Sequence, residues 1–140
     1  MRTVLLIIIS VSSLMGDFTR NINEVVRDSK SDLEWQDNNE SNSTNLNWIE
    51  AITHCENLTL DAKSDWKLPN LNELNLLLDD GKANPSIDSV FQYINSNDYW
   101  SSTTYINGSD YGWYVSFSDG NKNAYPKYDQ YYVRCVRGGE

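Results

Sequence analysis

Two cysteines constrain this chain more than any other residues: Cys55 lies in its first half and Cys135 almost at its end. In an oxidising compartment, a pair so placed ties the early part of a domain to its final strand. Such a bridge closes a loop of about 80 residues, worth roughly 4 kcal/mol by the chain-entropy estimate. That is a large share of the net stability of a small domain. The alternative is a pair of buried free thiols. The N-terminus speaks to the compartment. Met1-Arg2-Thr3 carries one positive charge, an apolar run follows from Val4 to Ile9, and the chain turns polar at Asp17 after Leu14-Met15-Gly16. This pattern predicts a secretory signal peptide over residues 1–16. The run is too short for a comfortable membrane span, so no membrane insertion of the mature chain is expected. The expected destination is the periplasm, the cell surface or the medium.

Residues 17–140 are then expected to form a single domain. Losing Arg2 takes the formal charge from -9 to -10. Acidic groups dispersed in this way disfavour DNA, RNA and anionic lipid. Arg134 and Arg137 read as a small positive group near the end, too little for a nucleic-acid footprint.

Local chemistry places the elements. Val25-Val26 marks a brief ordered stretch, and Leu33 and Trp35 alternate as in a half-buried strand. Residues 37–44 (Asp-Asn-Asn-Glu-Ser-Asn-Ser-Thr) offer no apolar side chain, which predicts a loop and makes them the best place for an insertion or a mobile tip. Asn47 and Glu50 have capping-box spacing, with Leu46 poised as a staple on Ala51. Trp48, Ala51, Ile52, Cys55 and Leu58 then make one helical stripe, which turns Cys55 inward. His54 lies one position off that stripe and reads as a rim residue. Asn70 and Glu73 repeat the capping signal after Pro69, with Leu71, Leu74, Leu77 and Leu78 as the buried face and Asp79-Asp80-Gly81 as the stop. Residues 83–97 read as a short helical or irregular segment. From Tyr99 the period changes to two. Strands are predicted over Tyr99–Thr103, around Trp113–Phe117, and from Tyr131 to Arg137, with a turn at Ser118-Asp119-Gly120-Asn121. Helices first and antiparallel strands after give an α+β plan.

All nine tyrosines lie between Tyr93 and Tyr132, beside Trp100 and Trp113. Tyrosine offers a flat apolar face and a hydroxyl at low entropic cost, which suits carbohydrate stacking and adaptable contact surfaces. Strand packing is the plainer use for most of these rings. Tyr105, Tyr111, Tyr125 and Tyr128, with Asn107 and Asn121, fall in polar connections and are the candidate ligand contacts. No G-x-S-x-G, H-E-x-x-H or P-loop occurs, and one histidine with two bridged cysteines builds no metal or thiol site, so neither an enzyme nor a cofactor is expected. Asp79, Asp80, Asn84 and Asp88 lack EF-hand spacing and read as a solvated loop. N-x-S/T sites begin at Asn39, Asn42, Asn57 and Asn107 and matter only in a glycosylating host.

Six ordered blocks then point to a family. Leu33-Glu34-Trp35-Gln36, Trp48 with Ala51 and Cys55, and Asp65-Trp66-Lys67-Leu68-Pro69-Asn70 with Glu73-Leu74 come first. Tyr99-Trp100-Ser101-Ser102-Thr103, Trp113 to Gly120 and Tyr132 to Gly138 complete the set. Together, from about residue 22 to 138, they resemble the Lcl C-terminal domain family. The resemblance implies a C-type-lectin-like fold, two helices packed on a short, looped antiparallel sheet, with a disulfide from first helix to last strand. It also implies a bacterial exported or surface module; some members are attached to collagen-like adhesins that bind sulfated glycans. This chain has no Gly-x-y stalk and none of the E-P-N, Q-P-D or W-N-D motifs of sugar-binding C-type lectins, so lectin activity does not follow from fold. A sulfated ligand would require Lys122, Lys127, Arg134 and Arg137 to cluster. Trp35, Trp48, Trp66, Pro69, Trp100, Trp113 and Arg134 read as framework, and Ser101, Ser102 and Thr103 as partners for buried backbone groups.

The leading expectation is an exported, non-catalytic module that binds an extracellular or periplasmic glycan or protein through its aromatic-rich loops. The alternative is a structural or assembly domain of a periplasmic or cell-surface complex. A small hydrolase using paired carboxylates is a third, because three-dimensional pairing is invisible in sequence.

Overall fold

Strands from both ends of the chain share one sheet. The computed structural model describes residues 18–138, so the expected signal peptide over residues 1–16 lies outside the described residues. In chain order the strands are β1 (Phe18–Arg20), β2 (Val25–Asp28), β3 (Glu34–Gln36), β4 (Asn45–Leu46), β5 (Asp98–Thr104), β6 (Tyr111–Ser116), β7 (Lys122–Pro126), β8 (Tyr131–Tyr132) and β9 (Val136–Arg137). The helices α1 (Trp48–Glu56) and α2 (Leu71–Asn75) lie between β4 and β5. One sheet runs β1-β2-β3-β9 and the other β4-β8-β5-β6-β7. Pairing is antiparallel except between β5 and β8.

The α+β plan holds, but the one sheet foreseen is two. The stretch predicted as a single last strand breaks at residues 133–135, so β8 joins one sheet and β9 the other. The break has a cause. Cys135 gives its N–H to the Gln36 side chain (3.0 Å) and its C=O to the Gln36 N–H (3.0 Å), while Arg134 turns its side chain inward.

Both helix starts follow the capping chemistry. The Asn47 side chain accepts from the Glu50 N–H at 2.9 Å, and the Glu50 carboxylate bonds back to the Asn47 amide. At α2 the box is complete: Glu73 N–H to Asn70 at 2.8 Å and Asn70 N–H to Glu73 at 2.9 Å. α2 ends at Asn75, earlier than the leucine stripe predicted. Leu77 and Leu78 N–H groups make tighter bonds to Leu74 and Asn75 (both 3.2 Å), after which Asp79 N–H bonds Ser86 C=O and Leu78 bridges Ile87. Leu74 and Leu77 are still fully buried. Residues 83–97 are irregular.

The five-stranded sheet has a core on each face. On one, Leu74, Leu77, Ile87 and Phe91 pack on Tyr99, Val115 and Phe117, together with Trp35 and Val136 of the other sheet. On the opposite face Ala51 and Cys55 of α1 meet Trp66, Leu68, Trp100, Tyr114 and Cys135. The Cys55–Cys135 disulfide is present in this second core, Cα atoms 5.4 Å apart, with no free cysteine among the described residues. Ser101 and Thr103 serve backbone groups as foreseen, the Ser101 hydroxyl donating to Trp113 C=O (2.8 Å) and the Thr103 hydroxyl accepting from Leu71 N–H (2.9 Å).

Two expectations are overturned at one place. Residues 37–44 are not a free tip: Asn39–Asn42 form a 3₁₀ turn, and Asp37 and Ser41 are fully buried. Arg134 is likewise fully buried, not part of a surface cation group. The Asp37 carboxylate accepts from Arg20 Nε (2.6 Å), from the Gln92 and Tyr93 N–H groups (3.0 Å each) and from Arg134 (3.3 Å). Arg134 also donates to the carbonyls of Gln36 and Tyr93. Burying charge is tolerated only when it is paired and hydrogen-bonded. Here every donor of the guanidinium head that faces Asp37 or a carbonyl is engaged, while Arg134 Nε is left without a partner. Removing one partner leaves the other uncompensated. Asp37→Ala is therefore expected to destabilise the fold by roughly 3–5 kcal/mol, whereas Arg27→Ala, at the exposed Arg27–Asp32 pair, costs about 1 kcal/mol or less. Urea unfolding of both variants checks the contrast.

Candidate functional site

β6 and β7 form a hairpin whose closed end is the turn at residues 117–121 and whose open end carries most of the candidate contacts. The loop from Tyr105 to Asp110 joins β5 to β6, and residues 127–130 join β7 to β8. Lys127 N–H donates to Asp110 C=O (2.8 Å), so the two loops are tied together. Lys127 C=O accepts from Trp48 N–H (3.0 Å), which seats both on the first turn of α1. The Lys127 ammonium lies 3.8 Å from the centre of the Trp48 ring and bonds the Thr104 hydroxyl at 2.9 Å. A cation held over an indole face in this way adds electrostatic attraction to the contact. Gly112 makes the approach possible, since a Cβ there would come within 2.9 Å of the Trp48 ring.

The candidate rings divide between the two faces of the hairpin. Tyr105 meets Trp113 edge to face, centroids 5.5 Å apart, and Tyr105 and Tyr111 both flank Gly108. Tyr125 instead stacks on Tyr114 at 4.8 Å and 6° and on Tyr131 at 5.4 Å and 26°. Tyr131 stands edge-on to the buried Trp100 at 4.8 Å. Tyr105 is half-buried, while Tyr111, Tyr125, Tyr128 and Asn107 are exposed. Tyr128 and Ile106, at 79% and 92% exposure, project furthest. Asn121 does not join them. It sits in the closed turn, bonded to Asp119 through its N–H (2.9 Å) and amide (2.7 Å). Five residues of strand separate it from Pro126, roughly 17 Å at about 3.3 Å per residue.

The residues expected as framework differ in burial, and Trp35 Nε1 and Arg134 Nε are buried without a hydrogen-bond partner. Trp35, Trp66, Pro69, Trp100 and Arg134 are buried; Trp48 and Trp113 are half-buried beneath the loops. The four cations do not cluster. Arg134 is internal, Arg137 clamps Asp65 and Glu34, Lys127 lies on Trp48, and Lys122 is at the far end of β7. His54 reaches Glu40 at 3.4 Å on the rim. Among the described residues no three His, Cys, Asp or Glu side chains are arranged to hold a metal ion.

The ladder also shapes the outer edge of β7. Ser116 N–H bonds Asn121 C=O, and Lys127 N–H bonds Asp110 C=O, so Lys122, Ala124 and Pro126 turn their backbone groups outward. Pro126 has no N–H, and the Ala124 N–H is taken by the Asn123 side chain at 2.8 Å. Strand pairing at this edge is thereby blunted.

Sequence reasoning missed Tyr114 and Tyr131, which stack on Tyr125, and Asp98, whose charge acts on both. Asp98 pairs in register with Ser116 on the same face, and burial raises its carboxyl above the usual range. Burial likewise raises the phenols of Tyr114 and Tyr131 above their usual 10.0; Tyr125 and Asp98 add to the first, Asp129 and Tyr125 to the second. A phenol whose folded value exceeds its unfolded one contributes stability below the unfolded value, lost as pH rises through the folded one. The urea midpoint should therefore fall as pH rises above 10.0. Tyr114→Phe should flatten that fall, as ultraviolet absorbance and urea titration will register.

The chain matches the model of the Lcl C-terminal domain over residues 24–137. No curated protein matches it. The family match covers most of the chain and contains the Cys55–Cys135 bridge, so the chain belongs to the Lcl C-terminal domain family.

Proposed function

We propose that this domain is an exported, non-catalytic module of C-type-lectin-like fold that binds a neutral or amine-bearing glycan at the open end of the β6–β7 hairpin. One observation carries the reading. Of the seven large hydrophobic side chains exposed among the described residues, four (Ile106, Tyr111, Tyr125 and Tyr128) gather in these two linked loops and the strand ends beside them. Grouped exposed apolar side chains mark interaction surfaces, whereas isolated ones need no explanation. Asn107, Asp110 and Asp129 lie in the same two loops and offer the polar groups a sugar requires. Ring faces take the apolar face of a pyranose, and carboxylates accept its hydroxyl or ammonium protons.

Charge narrows the ligand. A chain at -9 whose described arginines are all paired with carboxylates offers little to a sulfated glycan. The buried disulfide fits an oxidising compartment, and no described helix is long and apolar enough to cross a membrane. The two-sheet plan, with α1 bridged to the residue preceding β9, supports the lectin-like assignment.

The test is an array of neutral, amine-bearing and sulfated glycans probed with the purified protein, with and without chelator. The expected result is binding in the first two classes, chelator-insensitive. Tyr128→Ala combined with Tyr111→Ala should reduce affinity at least about tenfold, as loss of central aromatic contacts does, while Asn121→Ala should not. Silence on every glycan, with capture by a defined surface protein, would replace this reading with the assembly-domain one.

A further inference from the structure

On the opposite side of the fold from α1 lies a cleft of about 430 Å³ between the β1–β2 hairpin and the chain that follows α2. Phe18, Leu76, Leu77 and Leu78 give it an apolar lining, and Asp79, Asp80 and Asp88 stand around it. We propose that this cleft is a docking site for an extended basic segment of a partner protein, held by an aliphatic side chain between flanking lysines or arginines.

Leu76 supplies the first reason. It is 53% exposed beside buried Leu77, an apolar group left open to water at the mouth of a formed cavity. Charge supplies the second. Asp79 and Asp88 each use one oxygen on a local N–H, Gly81 at 2.9 Å and Val90 at 2.8 Å, which orients the carboxylate and leaves its other oxygen free. Among the described residues, Asp79, Asp80 and Asp88 make no ion pair, although Asp37, Asp61, Asp65, Glu34 and Glu73 all do. Among the described residues Lys30 is the one cation lining the cleft, with Lys82 in the adjoining loop. Asp28 contributes shape instead of charge: it is buried and bonded to Lys30 N–H (2.9 Å) and the Ser31 hydroxyl (2.7 Å).

The occupant follows from these features. The carboxylates do not converge as metal ligands, so separate cations spaced along a chain suit them better than one ion. A second copy of this chain would bring a net charge of -9 to an acidic rim and be repelled. The walls are already fixed by the Leu78–Ile87 bridge and the 2.9 Å Asp79–Ser86 backbone bond, so little ordering opposes binding. Apolar contact then gives affinity, and the acidic rim gives rate and selectivity.

The probe is a short amidated peptide alternating Lys and Leu, titrated into the purified protein by calorimetry. Saturable binding with a dissociation constant of roughly micromolar order is expected, weakening with salt. Replacing the peptide's Leu by Ser, or its Lys by Glu, should abolish it. Leu76→Ser and Asp80→Lys, both at exposed positions, should each weaken binding about tenfold; Tyr128→Ala should leave it unchanged, which separates this site from the tyrosine end. Methyl shifts in labelled wild-type protein should be confined to Leu76, Leu77 and Leu78. Full affinity in both cleft variants, equal binding of the Lys–Ser peptide, shifts centred on the tyrosine loops, or no binding would each overturn the proposal.

Discussion

A buried carboxylate organises this molecule. Asp37 sits at the meeting point of β1, the end of β3, the irregular segment through Tyr93, and the break between β8 and β9. Each of those pieces is too short to hold itself. β9 has two residues, β1 three, and the segment at Gln92 and Tyr93 has no ladder of its own. One anion with four donors gives all of them a common anchor, and Arg134 is oriented by the carbonyls of Gln36 and Tyr93 and covered by the Phe91 and Tyr99 rings. The disulfide is one residue further on. Gln36-Asp37 and Arg134-Cys135 thus face each other as two dipeptides, one pair hydrogen-bonded and ionic, the other continued covalently to α1.

This arrangement explains which parts of the fold were legible. The helix starts, the strands through Trp100 and Trp113 and the inward cysteines depend on neighbours within a turn or a pleat, and their signals are local. The Asp37 environment depends on partners 17, 55 and 97 residues away. Composition around residue 37 reads as loop because burial there is ionic, and hydropathy carries no mark of it. β1 was missed for a related reason: three residues pair only because β2 is already placed.

The candidate site divides along the same line. Exposure at Tyr111, Tyr125 and Tyr128 follows from their polar surroundings in sequence. Their separation does not. Alternation along the ladder sends Tyr125 to the face of Tyr114 and Tyr131, and Tyr105 to that of Trp113, while hairpin closure carries Asn121 to the opposite end. Family blocks named the rings without their register. Gly112 shows how close the fit is: only a missing side chain lets the indole of Trp48 support the loops that display them.

Lys122, Ala124 and Pro126 have a further consequence at the scale of many molecules. Crowding brings like edges together at high local concentration, where an open ribbon would template the next chain. Here the imide ring and the Asn123 amide oxygen leave too few free donors for such a zipper to begin. The aromatic end can therefore be crowded and still stay separate.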